Sequence, residues 1–288
     1  MHEGMIKMKS IENYVILNNG VKMPQLGFGT YIAKDGDKVI QAVKEALRIG
    51  YRHIDTASFY GNEEDVGIAI KESGVPRYEI FLVGKVWNSD QGYEKTLQAF
   101  KTSIKKLGTE YLDLYLIHWP QPLSKETWKA LEKLYKEGQI KAIGVSNFTS
   151  KHIQDLLEDA KIIPTVNQVE FHPQLVQNEL MDFCKKHNIQ LEAWSPFMRG
   201  KIFKIPLFQY LSKKYERTIS QIVLRWNLQM GVVTIPKSTT LTRIKENADI
   251  FNFEISEEDM KKIETLNNGF RIGMNPDEVY KNPEIIKE

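Results

Sequence analysis

The stretch Arg52-His53-Ile54-Asp55-Thr56-Ala57-Ser58-Phe59-Tyr60-Gly61 opens apolar, turns polar at Asp55 and ends on Tyr-Gly. A short apolar run that breaks into turn residues is the pattern of a buried strand running out into a loop. A carboxylate at the strand end and a phenol in the loop beyond it can face one cleft. The same rhythm recurs along the chain. Strand-like runs lie at 25–30, 52–57, 80–87, 112–119, 141–148, 165–172, 190–196 and 232–238.

Between these runs the apolar residues follow a helical period. In 37–49, Val39, Ile40, Val43, Ala46 and Leu47 share a face, as do Leu97, Phe100, Ile104 and Leu107 in 93–107. Trp128, Leu131, Leu134 and Tyr135 mark another helix, closed by Gly138. Further helical patterns cover 63–72, 154–160, 178–187, 220–230 and 241–250, and Ser124 and Ser150 stand where N-caps are expected.

Eight strand–helix units predict an α/β fold of the (β/α)8 TIM barrel type, whose usual size is about 250 residues. The competitor, a doubly wound sheet, uses fewer strands and a glycine-rich first turn. Gly27-Phe28-Gly29 lacks the third glycine of that fingerprint and is not followed at once by a helix. Within residues 11–24, Asn18-Asn19-Gly20 between two apolar runs predicts a β-hairpin closing the bottom of the barrel. Residues 1–10 read as a flexible tail, and 1–288 as a single domain without a linker.

A composition of 42% hydrophobic and 26% charged residues excludes disorder and coiled coil. The net charge of +2 gives no reason to expect a nucleic acid or anionic membrane partner. The single cysteine, Cys184, allows no intramolecular disulfide and points to the reducing cytoplasm, with its thiol buried and inert. Neither a signal-peptide pattern nor the ~20 apolar residues of a membrane helix is present in the sequence.

A barrel carries its chemistry at the C-terminal ends of its strands. Polar residues at those ends are Asp55, Lys85, His118, Ser146 with Asn147, Gln168 with Glu170, Ser195, and Lys237 with Ser238. Each has a plainer explanation alone. Asp55 can cap the helix near Glu63 or pair with Arg52, Tyr60 can be a packing residue, and His118 a core histidine. A lysine entering a barrel mouth, however, needs a partner, and Asp55 supplies one. Together the four make an acid. The ammonium is expected to lower the phenol's pKa from ~10, Asp55 to fix the lysine, and His118 to bond a substrate oxygen. That set suits protonation of a carbonyl oxygen. No Ser or Cys nucleophile has a base, and Glu170-Phe171-His172 offers too few ligands for a metal site.

The motifs Leu26-Gly27-Phe28-Gly29-Thr30, 52–61, Gly84-Lys85-Val86-Trp87-Asn88, Leu116-Ile117-His118-Trp119-Pro120 and Gly144-Val145-Ser146-Asn147-Phe148 occur in order. Asn167-Gln168-Val169-Glu170-Phe171-His172-Pro173 and Ile235-Pro236-Lys237-Ser238 follow. Through them the chain resembles the aldo-keto reductase family from about residue 14 to the tail near Tyr280. The resemblance implies NADPH-dependent reduction of small carbonyl compounds, with Tyr60 as acid, Lys85 and Asp55 tuning it and His118 orienting the carbonyl. It implies NADPH extended across the barrel mouth, with Thr30 and Ser195 among its contacts. Ser146, Asn147 and Gln168 would meet the nicotinamide carboxamide and Trp194 would lie under the ring. Lys237, Ser238 and Arg243 match positions at the 2′-phosphate, and Glu246 and Asn247 those at the adenine. Tyr31, Trp87, His118 and Trp119 would line the substrate pocket.

The run Phe197-Met198-Arg199-Gly200 departs from the family's usual Leu-Gly, leaving Arg199 or Lys201 to meet the pyrophosphate. Short loops place the chain beside the bacterial 2,5-diketo-D-gluconate and methylglyoxal reductases, with an open pocket and broad specificity implied. A monomer is the family expectation. Two other readings stand: a non-catalytic NADPH-binding protein on the same fold, and a barrel enzyme using Lys85 as a Schiff-base lysine.

Overall fold

Eight short parallel strands carry the architecture, in a computed structural model that describes residues 10–31 and 36–282. They are β3 (Phe28–Gly29), β4 (His53–Asp55), β5 (Phe81–Val86), β6 (Leu114–Ile117), β7 (Ile143–Ser146), β8 (Val166–Glu170), β9 (Gln190–Trp194) and β10 (Val233–Thr234). Each pairs in parallel with its sequence neighbours. The ring closes where Gly27 N donates to Thr234 O at 2.9 Å and Thr234 N donates to Gln25 O at 3.1 Å. The expected (β/α)8 barrel is the observed fold. Gly27 and Gly29 belong to this seam. A Cβ on Gly27 would lie 2.7 Å from the His53 ring and Ile235, and one on Gly29 2.9 Å from Ile235 O. The glycines serve backbone approach, which no larger residue permits.

The hairpin is β1 (Tyr14–Ile16) against β2 (Lys22–Pro24). Leu17 and Met23 plug the barrel floor against Phe81, Val83, Leu114, Leu116 and Val166. Asn18 Nδ2 and Asn19 Nδ2 donate to Pro164 O and Lys141 O, both at 3.0 Å, which ties the turn to chain entering β8 and β7. The predicted cap therefore sits at the end opposite the strand exits. Residues 1–9 of the expected tail lie outside the described residues.

Helices α1 (Gly36–Ile49), α2 (Glu63–Glu72), α3 (Tyr93–Leu107), α4 (Ser124–Lys136), α5 (Ser150–Leu157) and α6 (Asn178–Lys186) follow strands in turn. The rest are α7 (Pro206–Tyr215), α8 (Ile219–Gln229), α9 (Leu241–Ala248), α10 (Glu257–Glu264) and α11 (Pro276–Lys281). Their predicted faces, among them Val43, Leu47, Phe100, Leu107, Trp128 and Leu131, are buried against the strands. Each such side chain stabilises by about 1.5–3 kcal/mol.

Two boundaries differ from expectation. Helix α5 starts at residue 150 rather than 154, because Thr149 caps it in a reciprocal box with His152. Ser124 is the first residue of α4 and makes no cap; its Oγ accepts from Gln121 N at 2.9 Å and locks the preceding loop. Helices α7, α10 and α11 were not anticipated. Among the described residues no helix is long and apolar enough to cross a membrane.

Candidate active site

At the mouth, β4 ends on Asp55, and a single helical turn at Ser58–Tyr60 folds the chain back over the opening, released by Gly61 at φ 67°. Ser58 Oγ pins that turn to Lys85 O at 3.1 Å. Lys85, with no exposed surface, rises from β5 into the barrel. Its Nζ donates to Asp55 Oδ1 at 2.7 Å, Thr56 O at 3.1 Å and Tyr60 OH at 3.1 Å. The plainer roles for Asp55 are not realised. Arg52 pairs with Glu79 at 3.5 Å, and Asn62, bonded to Thr56 Oγ1 and Thr30 O, precedes α2.

His118 leaves β6 into an aromatic wall. Its ring meets Trp87 edge-on at 5.0 Å, Tyr60 at 5.7 Å and Phe59 at 6.2 Å, while Phe59 and Trp87 stack at 3.8 Å. Tyr31 lies against Tyr60 at 5.0 Å.

Electrostatics correct one expectation. Burial pushes the Tyr60 phenol well above its ordinary value, and the Asp55 carboxylate pushes the same way, opposing the effect expected of the Lys85 ammonium. Tyr60 therefore stands protonated at neutral pH. Burial, aided by Lys85, drives His118 well down, so its imidazole is neutral. Burial pushes the Cys184 thiol up to about 12, consistent with an inert group.

A cavity of about 450 Å³ opens over these groups. Asp55, Tyr60, His118, Tyr31, Trp87, Trp119, Ser146, Asn147, Gln168, Trp194, Ser195 and Lys237 all reach its wall, so predicted positions from all eight strand exits converge. Asn147, in the left-handed region at φ 63°, joins three elements. Its Nδ2 donates to His118 O at 2.9 Å, and its Oδ1 accepts from Trp194 Nε1 at 2.8 Å. Ser146 Oγ donates to Gln168 O at 2.8 Å. These bonds fix the indole of Trp194 in the wall. They also bury the Asn147 amide, although Asn147-Phe148-Thr149 matches a glycosylation acceptor.

The tail completes the wall. Glu170 accepts from Ile272 N at 2.5 Å and Gly273 N at 2.9 Å, and His172 Nε2 lies 2.9 Å from its Oε1. Burial opposes its charge, yet these bonds hold the Glu170 carboxyl below the usual range. Ile272, Gly273 and Met274 thereby line the cavity. A Cβ on Gly273 would overlap the Trp194 indole and press on Glu170. Gly273→Ala is expected to cost about 1–3 kcal/mol in urea unfolding, because Trp194 or the tail must shift. Among the described residues no cluster of three metal-ligating side chains occurs.

Farther out, Ser195, Met198 and Arg199 have φ of 52°, 53° and 48°, and Gly200 one of 91°. Each such non-glycine residue carries strain of about 1–3 kcal/mol. The turn sends Arg199 to the cavity, whereas Lys201 sits 4.6 Å from the Phe270 ring centre. Thr30 lies beneath the cavity, its Oγ1 donating to Asp55 O at 3.0 Å. Ser238, just before α9, and Arg243, Glu246 and Asn247, within it, lie beyond the cavity lining. Arg243 is exposed and has no acidic partner among the described residues, Glu246 Oε1 accepts from Thr218 Oγ1 at 2.7 Å, and Asn247 is buried.

Sequence reasoning missed Phe59, the tail residues, and two buried groups below Asp55: Glu192 and His53. Gln168 Nε2 donates both to Asp55 Oδ2 at 2.8 Å and to Glu192 Oε2 at 2.7 Å. The signal for Glu192 was a charge at an inward position inside an apolar strand.

A model of the Aldo/keto reductase family matches residues 25–268. The chain is 56% identical over 271 residues to the glyoxal reductase of Bacillus subtilis strain 168, covering 94% of this chain and 98% of that protein. Over 267 residues it is 43% identical to methylglyoxal reductase DkgA of Escherichia coli K12, covering 91% and 96%. The aldo-keto reductase of Bombyx mori, solved in complex with NADP, superposes with a TM-score of 0.88 at 35% identity, covering 93% of this chain and 97% of that one. The fold, the strand-end cluster and a family match over most of the sequence together establish that this chain belongs to the aldo/keto reductase family.

Proposed function

We propose that this protein uses NADPH to reduce small aldehydes and ketones to alcohols, α-oxo-aldehydes among them. When bound, the dinucleotide would supply the hydride from its nicotinamide. Tyr60 protonates the carbonyl oxygen, and the neutral His118 ring donates a hydrogen bond that orients it. Lys85 and Asp55 hold the Tyr60 hydroxyl at the mouth. Trp194 offers a flat face for the nicotinamide, with Ser146, Asn147 and Gln168 at its edge. Lys237, Ser238 and Arg243 suit a 2′-phosphate, with Glu246 and Asn247 near the adenine; Thr30 and Ser195 support the chain around it. Phe59, Trp87, Trp119 and Tyr31 make an open aromatic pocket, compatible with broad specificity.

The observation that carries this reading is the Lys85 ammonium, whose three hydrogens serve Asp55, Thr56 O and Tyr60 OH. A lysine so committed has no lone pair for a Schiff base, but it fixes an acid. The test follows NADPH oxidation by absorbance with methylglyoxal and with an aromatic aldehyde. Turnover is expected with both. NADPH binding without turnover on any carbonyl supports a non-catalytic binding protein, and absence of binding sinks the cofactor assignment. Arg243→Ala is expected to weaken NADPH by about ten- to a hundredfold while leaving NADH nearly unchanged, read by fluorescence titration with each dinucleotide.

A further inference from the structure

The hydrogen-bonded column that starts at Tyr60 does not stop at Asp55. It runs through Gln168 to Glu192 and ends at His53, deep in the barrel and with no exposed side-chain surface at either last residue. Two atoms there face each other. Glu192 Oε1 and His53 Nε2 lie 3.3 Å apart, both buried, and neither has another partner. The opposite ring nitrogen, His53 Nδ1, lies 3.3 Å from Pro24 O in the floor hairpin. A carbonyl only accepts, so Nδ1 carries the hydrogen and Nε2 of a neutral ring is a bare acceptor. A carboxylate oxygen opposite it would set lone pair against lone pair in a dry core. One proton has to lie between them.

We propose that Glu192 is a positioning residue held as a carboxylic acid, its proton directed to His53 Nε2, so that Asp55 alone is the anion facing Lys85. The alternative ion pair would place an imidazolium and a second carboxylate where neither touches water, with Asp55 already negative nearby. Burial favours the neutral pair and outweighs the charged groups in reach, which pull both ways: Asp55 and Asp113 favour a charged His53, and Lys85 an ionised Glu192. Asp55 on β4 opposes ionisation of Glu192, Lys85 on β5 partly offsets it, and Asp113 before β6 is already paired with Arg77 and Lys141. Neighbouring β10 offers only Val233 and Thr234. Burial and the Asp55 charge push the Glu192 carboxyl up to about 8, and burial pushes the His53 ring down to about 4.

The arrangement acts on the mouth through two links. The acid form accepts from Gln168 on Oε2 and donates from Oε1, so Gln168 stays aimed at Asp55. Ionised Glu192 would add a negative charge behind Asp55 and make Tyr60 a weaker acid. This second consequence rests on the carbonyl-reductase reading. The proton itself does not.

The test compares wild type with Glu192→Gln, whose amide can accept from Gln168 and donate to His53, and with Glu192→Leu, which can do neither. Infrared titration of the cofactor-free protein is expected to show a buried carboxylic acid band that fades as pH rises through about 8 and is missing in Glu192→Gln. Stability has a matching sign. The unfolded chain ionises Glu192 near 4.5, whereas the folded chain holds the proton to about 8. Wild type therefore loses stability relative to Glu192→Gln across that window, and below it the difference between the two no longer changes with pH. Reduction by Glu192→Gln should exceed that by Glu192→Leu about tenfold, with the wild-type alkaline inflection absent. An unchanged infrared band, or a stability difference independent of pH, overturns the assignment of the proton. Loss of reduction with the band intact counts against the reductase reading alone.

Discussion

Tyr60→Phe is expected to abolish carbonyl turnover, by about 10²–10⁴-fold, while NADPH still binds. The ring stays in place because its contacts are aromatic: Tyr31 on one side and His118 on the other. Only the hydroxyl is lost, and with it the proton donor. Lys85 then loses one of three acceptors but keeps Asp55 and Thr56 O, so its charge remains satisfied. The fold should survive with a change in stability of about 1 kcal/mol. Stopped-flow NADPH oxidation and a parallel fluorescence titration separate the lost chemistry from retained binding. A variant that turns over within about threefold of wild type would remove Tyr60 from the acid role.

Lys85→Met is expected to be the most destabilising single change at the site, by about 3–5 kcal/mol in denaturant unfolding. Its side chain has no exposed surface, and Asp55 beside it is 1% exposed, so the buried carboxylate would be left at the foot of the cavity with only Gln168 to bond it. Asp55 would respond by binding a proton more tightly when folded than when unfolded. A folded value raised in this way gives stability that is complete below ~4 and lost as pH rises, so the variant should be least impaired in mild acid. Adding Asp55→Asn removes the stranded charge. The double variant should recover much of the stability and none of the turnover. Equal instability of the single and double variants would mean that the cost lies in packing, not in charge.

The strand exits were legible because a barrel's rule is positional. An ionisable residue closing an apolar run, as Asp55, Lys85 and His118 do, needs no structure to be noticed. Glu192 and His53 escaped for the complementary reason: they sit in their strands on inward positions, where only the folded barrel brings Glu192 to Gln168 and His53 to Glu192. The tail escaped too, since Ile272-Gly273-Met274 has no periodic pattern and its anchor, Glu170, is far away in sequence. Tyr60 illustrates a different limit. Sequence names its charged neighbours, but the dryness that pushes its proton affinity up depends on Tyr31, Phe59 and the turn that seals it. The Ser150 cap failed by one residue because Ser and Thr are adjacent and only backbone geometry chooses between them.

The most direct test of carbonyl reduction at this site is a single turnover of methylglyoxal with NADPH deuterated at the transferring position of the nicotinamide, followed by mass analysis of the alcohol. Wild type is predicted to give an alcohol carrying deuterium on the former carbonyl carbon, while Tyr60→Phe binds the dinucleotide and gives none. Alcohol formed without deuterium, or equal yields from the two proteins, would contradict hydride transfer with Tyr60 as the proton donor.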